Sequence, residues 1–438
     1  MNKEILKQVV KEGQEFKFPL IYPREIKVSL DSNKIITVTG PRRSGKTYLL
    51  FSLMQQLIKN KVNRKNILYI NFDDPRILPM DAQGLELIQE TYFELYPELK
   101  ETNDFIFFDE IQNVRNWEIG IRRIYDTRNF QIFLTGSSSK FLSQEIATTL
   151  RGRAINYKIL PFSLREILTT SGVRLEPDTV YSKTRFNIKK IVDDYFTFGG
   201  FPEVILATKE LKVRILKEYV ETMFFRDLIE RYRLRNQAVL RELIKYLTSN
   251  VANLFSLNAF WRWIKQTYPI GKRTLIEYTS YLEDIGMFFF IRKFSFSLKE
   301  QAQRPRKVYI VDNGLRTIYG FNFSQDLGRV LENSVFLKLE YEKTRNPLLE
   351  IFYWQDSKKK EVDFVVKEGI KVKSLIQVCS DPQQPETEKR EIAPLLKAGK
   401  ELKCSKLIMI THNYEKEQKF GRQKIVFLPI WKWLIESK

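Results

Sequence analysis

Apolar residues in the first third of the chain fall into short runs separated by stretches of helical period. "KIITVT", "NILYINF", "DFIFF", "FQIFLT" and "RAINYKIL" are rich in β-branched and aromatic residues and predict buried strands. Between them, "TYLLFSLMQQLIKN" and "AQGLELIQETYFEL" predict helices. This alternation predicts an α/β domain with a parallel sheet over residues 1–170. The stretch 171–186 is polar and broken by Gly and Pro, as expected of a boundary. Residues 187–235 read as helical except at "GGFPEV", where Gly199-Gly200 ends one helix and Pro202 starts the next. A helical lid or connector is therefore expected over 171–236. Three helical stretches and the strand "MFFFIRKFSF" then follow in the order of a winged helix, over 237–300.

The first strand runs directly into Gly40-Pro41-Arg42-Arg43-Ser44-Gly45-Lys46-Thr47, and Tyr48 opens a helix. This is G-x-x-x-x-G-K-[ST] in the strand–loop–helix setting that the motif requires. Loop amides would wrap phosphate oxygens, Lys46 would reach the β- and γ-phosphates, and Thr47 would ligate Mg²⁺. Gly40 to Tyr48 are thus expected to bind ATP. "NDFIFFDEIQ" ends a strand on Asp109 and Glu110: Asp109 would hold Mg²⁺ through water, and Glu110 would polarise the attacking water. "NILYINF" reads as an extra strand inserted between the loop strand and the acidic strand, a feature of P-loop proteins with a catalytic glutamate. After "FQIFLT", Ser137 or Ser138 is placed to act as the γ-phosphate sensor. Arg151 and Arg153, in "TTLRGRA", stand where an arginine could reach a neighbouring subunit's nucleotide; pairing with local acids is the structural alternative.

Charge and composition narrow the chemistry. The 438 residues carry a formal net charge of +20, with the basic residues spread along the chain, so a polyanion is the expected partner: nucleic acid, DNA before RNA. A single histidine, His412, removes His-based triads and multi-His metal sites. Cys379 and Cys404 are too few for a disulfide framework, which implies a reducing cytoplasm. No apolar run reaches the ~18–20 residues that span a bilayer. The charged start lacks a leader's apolar core, so a soluble, unprocessed protein with no membrane partner is expected. In the winged-helix stretch, Lys272, Arg273 and Thr274 open the third helix, where DNA contacts are made. Glu277, Glu283 and Asp284 follow on the same helix, leaving a packing role open. Trp261 and Trp263 cannot share one helix face, so at least one of them is expected in the core.

Taken in order, "GPRRSGKT", "FFDEIQN", "LTGSSSKFL", "LPFSLREIL", "FGGFPEV", "VYIVDNGLR", "VLENSVFLKL", "EVDFVV" and "LIQVCSD" resemble the archaeal and bacterial AAA-type ATPases with a C-terminal domain of PD-(D/E)XK nuclease-like fold. The resemblance covers nearly the whole chain. It implies a nuclease-like α/β domain over 301–438 and a link to nucleic-acid metabolism, mobile elements or defence. It also implies a metal-binding set of Glu332 on the domain's first helix, Asp363 on one strand and Gln377 on the next. Cys379 stands where the family's lysine would be, so cleavage is not expected unless Lys389 or Arg390 supplies the charge. Cys379 itself reads as a small core residue, and His412 as a surface or capping residue. Three readings stay open: an ATPase coupling hydrolysis to motion on nucleic acid, an ATP-gated metal-dependent nuclease, and a nucleotide switch for a protein partner. A finger acting in trans would require a homo-oligomer.

Overall fold

The computed structural model describes residues 2–101, 104–127, 130–136, 150, 152–173, 185–320, 327–383 and 387–436. The chain divides into two compact units, Met1–Leu160 with Asp284–Gly286, and Pro161–Glu283 with Met287–Lys438.

The first unit contains β1 (Ile35–Thr39), β2 (Ile67–Asn71), β3 (Met80–Asp81), β4 (Asp104–Asp109), β5 (Val114–Arg115), β6 (Phe130–Gly136) and β7 (Ala154–Lys158). Five of these form one parallel sheet in the order β2-β4-β6-β1-β7. Side chains alternate between two buried faces, which is why the strands read as near-continuous apolar runs. Ile106, Phe108, Ile132 and Leu134 face one core with helices Lys3–Glu15, Ala82–Leu95 and Trp117–Thr127. Phe107 and Phe133 face the other, stacked at 4.4 Å, beneath helix Lys46–Lys59. The sheet corrects one expectation. The strand that separates the loop strand from the acidic strand is β6, whereas β2 ("NILYINF") lies on the far edge beside β4. Chain order alone does not reveal which neighbour a parallel strand takes.

The second unit begins with helices Leu164–Thr170, Arg185–Phe198, Pro202–Leu206 and Lys209–Thr222 and the π-helical turn Met223–Glu230. Helix Gln237–Ser249, β8 (Leu254–Phe255), helices Leu257–Ile264 and Lys272–Asp284, β9 (Phe288–Lys293) and β10 (Arg306–Ile310) come next. Helix Leu327–Arg345 precedes β11 (Leu349–Gln355), β12 (Glu361–Glu368), β13 (Lys371–Val378), β14 (Leu407–Thr411), β15 (Lys416–Phe420) and β16 (Gln423–Pro429). All nine of these strands belong to one mixed sheet, ordered β15-β16-β14-β13-β12-β11-β9-β10-β8. It continues across position 300 because β9 pairs with β11 in parallel, Phe352 opposite Arg292.

Three of the motifs meet in the second unit. Asp312, in "VYIVDNGLR", is fully buried; it accepts hydrogen bonds from the Gly200 amide at 2.6 Å and the Gly314 amide at 2.8 Å. The Phe162 amide, in "LPFSLREIL", donates to the Gly200 carbonyl at 2.7 Å. Burial pushes the Asp312 carboxyl up to about 7, against the pull of these amides. Gly199 sits at φ +76°, and a Cβ there would lie 1.7 Å from Asp312 Oδ1. Gly199→Ala is therefore expected to lose ~1–3 kcal/mol from the backbone conformation alone, and more from the clash. Urea unfolding followed by tryptophan fluorescence reads this loss, and an unchanged midpoint would rule out the interlock.

Candidate active site

The phosphate loop joins β1 to helix Lys46–Lys59. Two left-handed residues, Arg43 at φ +65° and Gly45 at φ +94°, curve its backbone into the kind of concave nest that cradles anions. A side chain at Gly40 would meet the Ile159 carbonyl at 2.2 Å, so only glycine fits there. Arg24 ties the loop to the sheet through the carbonyls of Ser44, at 2.8 Å, and Leu160, at 2.6 Å.

Lys46 is 4% exposed, and its ammonium makes long bonds of 3.3 Å to the carbonyls of Gly40 and Pro41, with Glu110 Oε1 at 3.9 Å. Asp109 ends β4. Its Oδ2 accepts from Thr47 Oγ1 at 2.7 Å and from the Tyr69 hydroxyl at 3.2 Å, and its Oδ1 accepts from Thr135 Oγ1. Burial, and then the neighbouring Glu110, hold the Asp109 carboxyl above its ordinary range, against the pull of Thr135, Thr47 and Lys46. Glu110 takes a left-handed conformation at φ +53° just past the strand; its amide donates to Thr135 Oγ1 at 2.9 Å, and its side chain accepts from Gln112.

These residues fit ATP with Mg²⁺. Among the described residues the buried Ser44 hydroxyl has no hydrogen-bond partner, and the Lys46 bonds are stretched; both leave capacity for phosphate oxygens. Thr47 and Asp109 form a hydroxyl–carboxylate pair of the kind Mg²⁺ takes alongside phosphate.

Of the other expected residues, Ser137, Ser138 and Arg151 lie outside the described residues. Arg153 pairs with Asp126 at 3.1 Å, and Tyr48 is exposed on its helix. Thr135 and Tyr69, which bond Asp109, were not anticipated; a threonine at the end of an apolar strand carries no local signal.

The second unit gathers Glu332, Asp363 and Gln377 from the expected helix and strands, and adds a cation from elsewhere. The Lys307 ammonium, from β10, is 2.8 Å from Glu332 Oε1, 2.7 Å from Glu361 Oε1 and 2.8 Å from Asp363 Oδ1. Burial pulls its pKa down, yet Asp363, Glu332 and Glu361 hold it well above the usual lysine value. Burial and Asp363 push Glu332 up, and Tyr309 donates to its Oε1 at 2.7 Å. Gln377 is spent within the protein: its Oε1 accepts from the Asp363 amide at 3.2 Å and its Nε2 donates to Glu391 at 2.6 Å. Arg390 bonds that same Glu391, and the Lys389 side chain is outside the described residues. Cys379 is buried in the core, its thiol pushed up to about 11 chiefly by burial, consistent with the inert role expected of it. His412 belongs to neither site; its ring meets Asn413.

On helix Leu257–Ile264 the buried residues are Phe260 and Ile264. The expectation of a core tryptophan fails: Trp263 is 49% exposed, and Trp261 is half-buried, donating to the Ile270 carbonyl at 3.1 Å.

The fold and loop define an AAA-type P-loop ATPase domain, and residues 32–168 match the AAA domain family. Residues 189–325 and 327–433 match two domains of unknown function, DUF8612 and DUF4143. The chain belongs to the same family as an uncharacterized protein of Methanocaldococcus jannaschii, 35% identical over 447 residues that cover 99% of this chain and 96% of that one. An uncharacterized protein of Haemophilus influenzae is 27% identical over 409 residues, 92% of this chain and 94% of its own. Among solved structures, the chain is similar to the RuvB Holliday junction branch migration motor of Thermotoga maritima, at 15% identity and a TM-score of 0.28, covering 66% of this chain and 87% of that one. Among the described residues no helix is long and apolar enough to cross a membrane.

Thr135 holds both acidic residues, so Thr135→Val is expected to lower kcat for ATP hydrolysis about 10–100-fold, the scale of outer-shell substitutions. KM for ATP should move only a few-fold. Steady-state kinetics separates the two constants, and an unchanged kcat would remove Thr135 from the site.

Proposed function

We infer that the protein hydrolyses ATP with Mg²⁺ and couples the cycle to a nucleic-acid partner, DNA in preference to RNA. The observation that carries the reading is the convergence of Lys46, Thr47, Asp109 and Glu110 at one end of the first sheet. Lys46 binds the β- and γ-phosphates. Thr47 and, through water, Asp109 would hold Mg²⁺, which would offset charge on the phosphates. Glu110, fixed by Thr135 and Gln112, orients the attacking water. Ser137 is assigned as sensor, and Arg151 or Arg153 as a finger supplied by a neighbouring copy in a homo-oligomer.

Charge and the second unit support the nucleic-acid partner. The net charge is +20. Helix Gln237–Ser249 through β10 follows the helix and strand order of a winged helix. Lys265, Lys272 and Arg273 are exposed there, as is Trp263, although Lys265 lies over the Trp261 ring and Arg273 pairs with Glu277 at 3.2 Å. Helix Leu327–Arg345 and strands β11 to β14 are read as the nuclease-like domain, without cleavage activity.

ATP hydrolysis measured with and without double- and single-stranded DNA, over a salt series, tests this. Lys46→Ala and Glu110→Gln should each abolish turnover. DNA should stimulate the wild-type rate, with a stimulation that falls steeply as salt rises. Hydrolysis indifferent to every nucleic acid at every salt concentration would contradict the partner and favour a nucleotide switch acting on protein.

A further inference from the structure

The acidic cluster in the second unit already holds a cation. Lys307 is among the most deeply buried charged side chains of the chain, 2% exposed, and its three possible N–H donors meet three carboxylates on helix Leu327–Arg345 and β12. The contacts of 2.7–2.8 Å are those of charge-assisted hydrogen bonds, whereas Mg²⁺ and Ca²⁺ require oxygens within ~2.0–2.6 Å. The remaining coordination capacity is turned away as well. Asp363 Oδ2 accepts from the Val378 amide at 2.8 Å, and the Gln377 amide oxygen takes the Asp363 amide. Among the described residues no group of three or more His, Cys, Asp or Glu is arranged to hold a metal ion.

We propose that the Lys307 ammonium is the resident cation of this centre, standing where a divalent ion would bridge Glu332, Glu361 and Asp363, so that the site is a latent metal site closed by the chain's own side chain. Lys307 does not restore the lysine missing at Cys379. It neutralises the acids in place of a metal, and it joins β10 to β12 and to helix Leu327–Arg345, elements that no direct strand pairing connects. The proposal deepens the reading of the second unit as inactive in cleavage and does not depend on the ATPase.

The test measures the thermal midpoint of the full-length chain in millimolar Mn²⁺ without nucleotide, alongside nicking of supercoiled plasmid under the same conditions. The wild-type midpoint should not move, and the plasmid should stay intact. Lys307→Met leaves three acids without a cation; its midpoint should fall in metal-free buffer and recover by several degrees with Mn²⁺. Asp363→Asn in the Lys307→Met background should remove that recovery. If Lys307→Met does not fold, the wild-type measurements decide the question. A Mn²⁺-dependent rise in the wild-type midpoint that Asp363→Asn abolishes, or Mn²⁺-dependent nicking lost in Lys307→Arg, would overturn the proposal. Neither outcome touches the ATPase reading, because no nucleotide is present.

Discussion

A carboxylate removed from water costs several kcal/mol unless it receives a proton, a cation or a full set of donors, and both sheets bury one on a strand. In the first unit Asp109 is surrounded by neutral donors, the hydroxyls of Thr47, Thr135 and Tyr69, while Lys46 stands nearer to Glu110. Its charge is oriented but not neutralised, which favours a cation brought in with a nucleotide. In the second unit Asp363 is given an ammonium directly. One constraint, met in two ways, leaves the first centre open to a ligand and closes the second.

The difference follows from which element supplies the cation. Lys46 opens the helix after the phosphate loop and makes only long bonds to that loop's carbonyls, so it can exchange them for phosphate. Lys307 sits on β10, next to the edge of its sheet, and its side chain is buried among the acids it bonds. Removing one partner of such a buried cluster leaves uncompensated charge, and the cost is ~3–5 kcal/mol. That cost is the penalty of stranding the remaining charges, so the cluster holds its members together whatever its net contribution to stability.

How much of this was legible in the sequence depended on distance along the chain. The phosphate loop was readable because strand, loop and helix are consecutive and each residue type is dictated by the ligand. Asp109 and Glu110 were readable as acids ending an apolar run. Lys307 was not, because it meets Asp363 across 56 positions and nothing near "RPRKVYIV" marks it as acid-facing. Of the two residues expected to supply a displaced charge from the helix after Cys379, Lys389 and Arg390, the arginine instead reaches Glu391. Strand order was hidden for the same reason, since parallel neighbours are chosen by packing on both faces. "FGGFPEV" and "VYIVDNGLR" are joined by the hydrogen bond from the Gly200 amide to Asp312, a role that neither segment shows alone.

The central claim is that one acidic centre accepts a divalent ion and the other does not. Counting Mn²⁺ bound per chain by electron paramagnetic resonance, with a non-hydrolysable ATP analogue present and absent, tests it most directly. The account predicts one Mn²⁺ per chain with the analogue and none without it. A tightly bound Mn²⁺ without nucleotide, or a second one with it, would contradict the account.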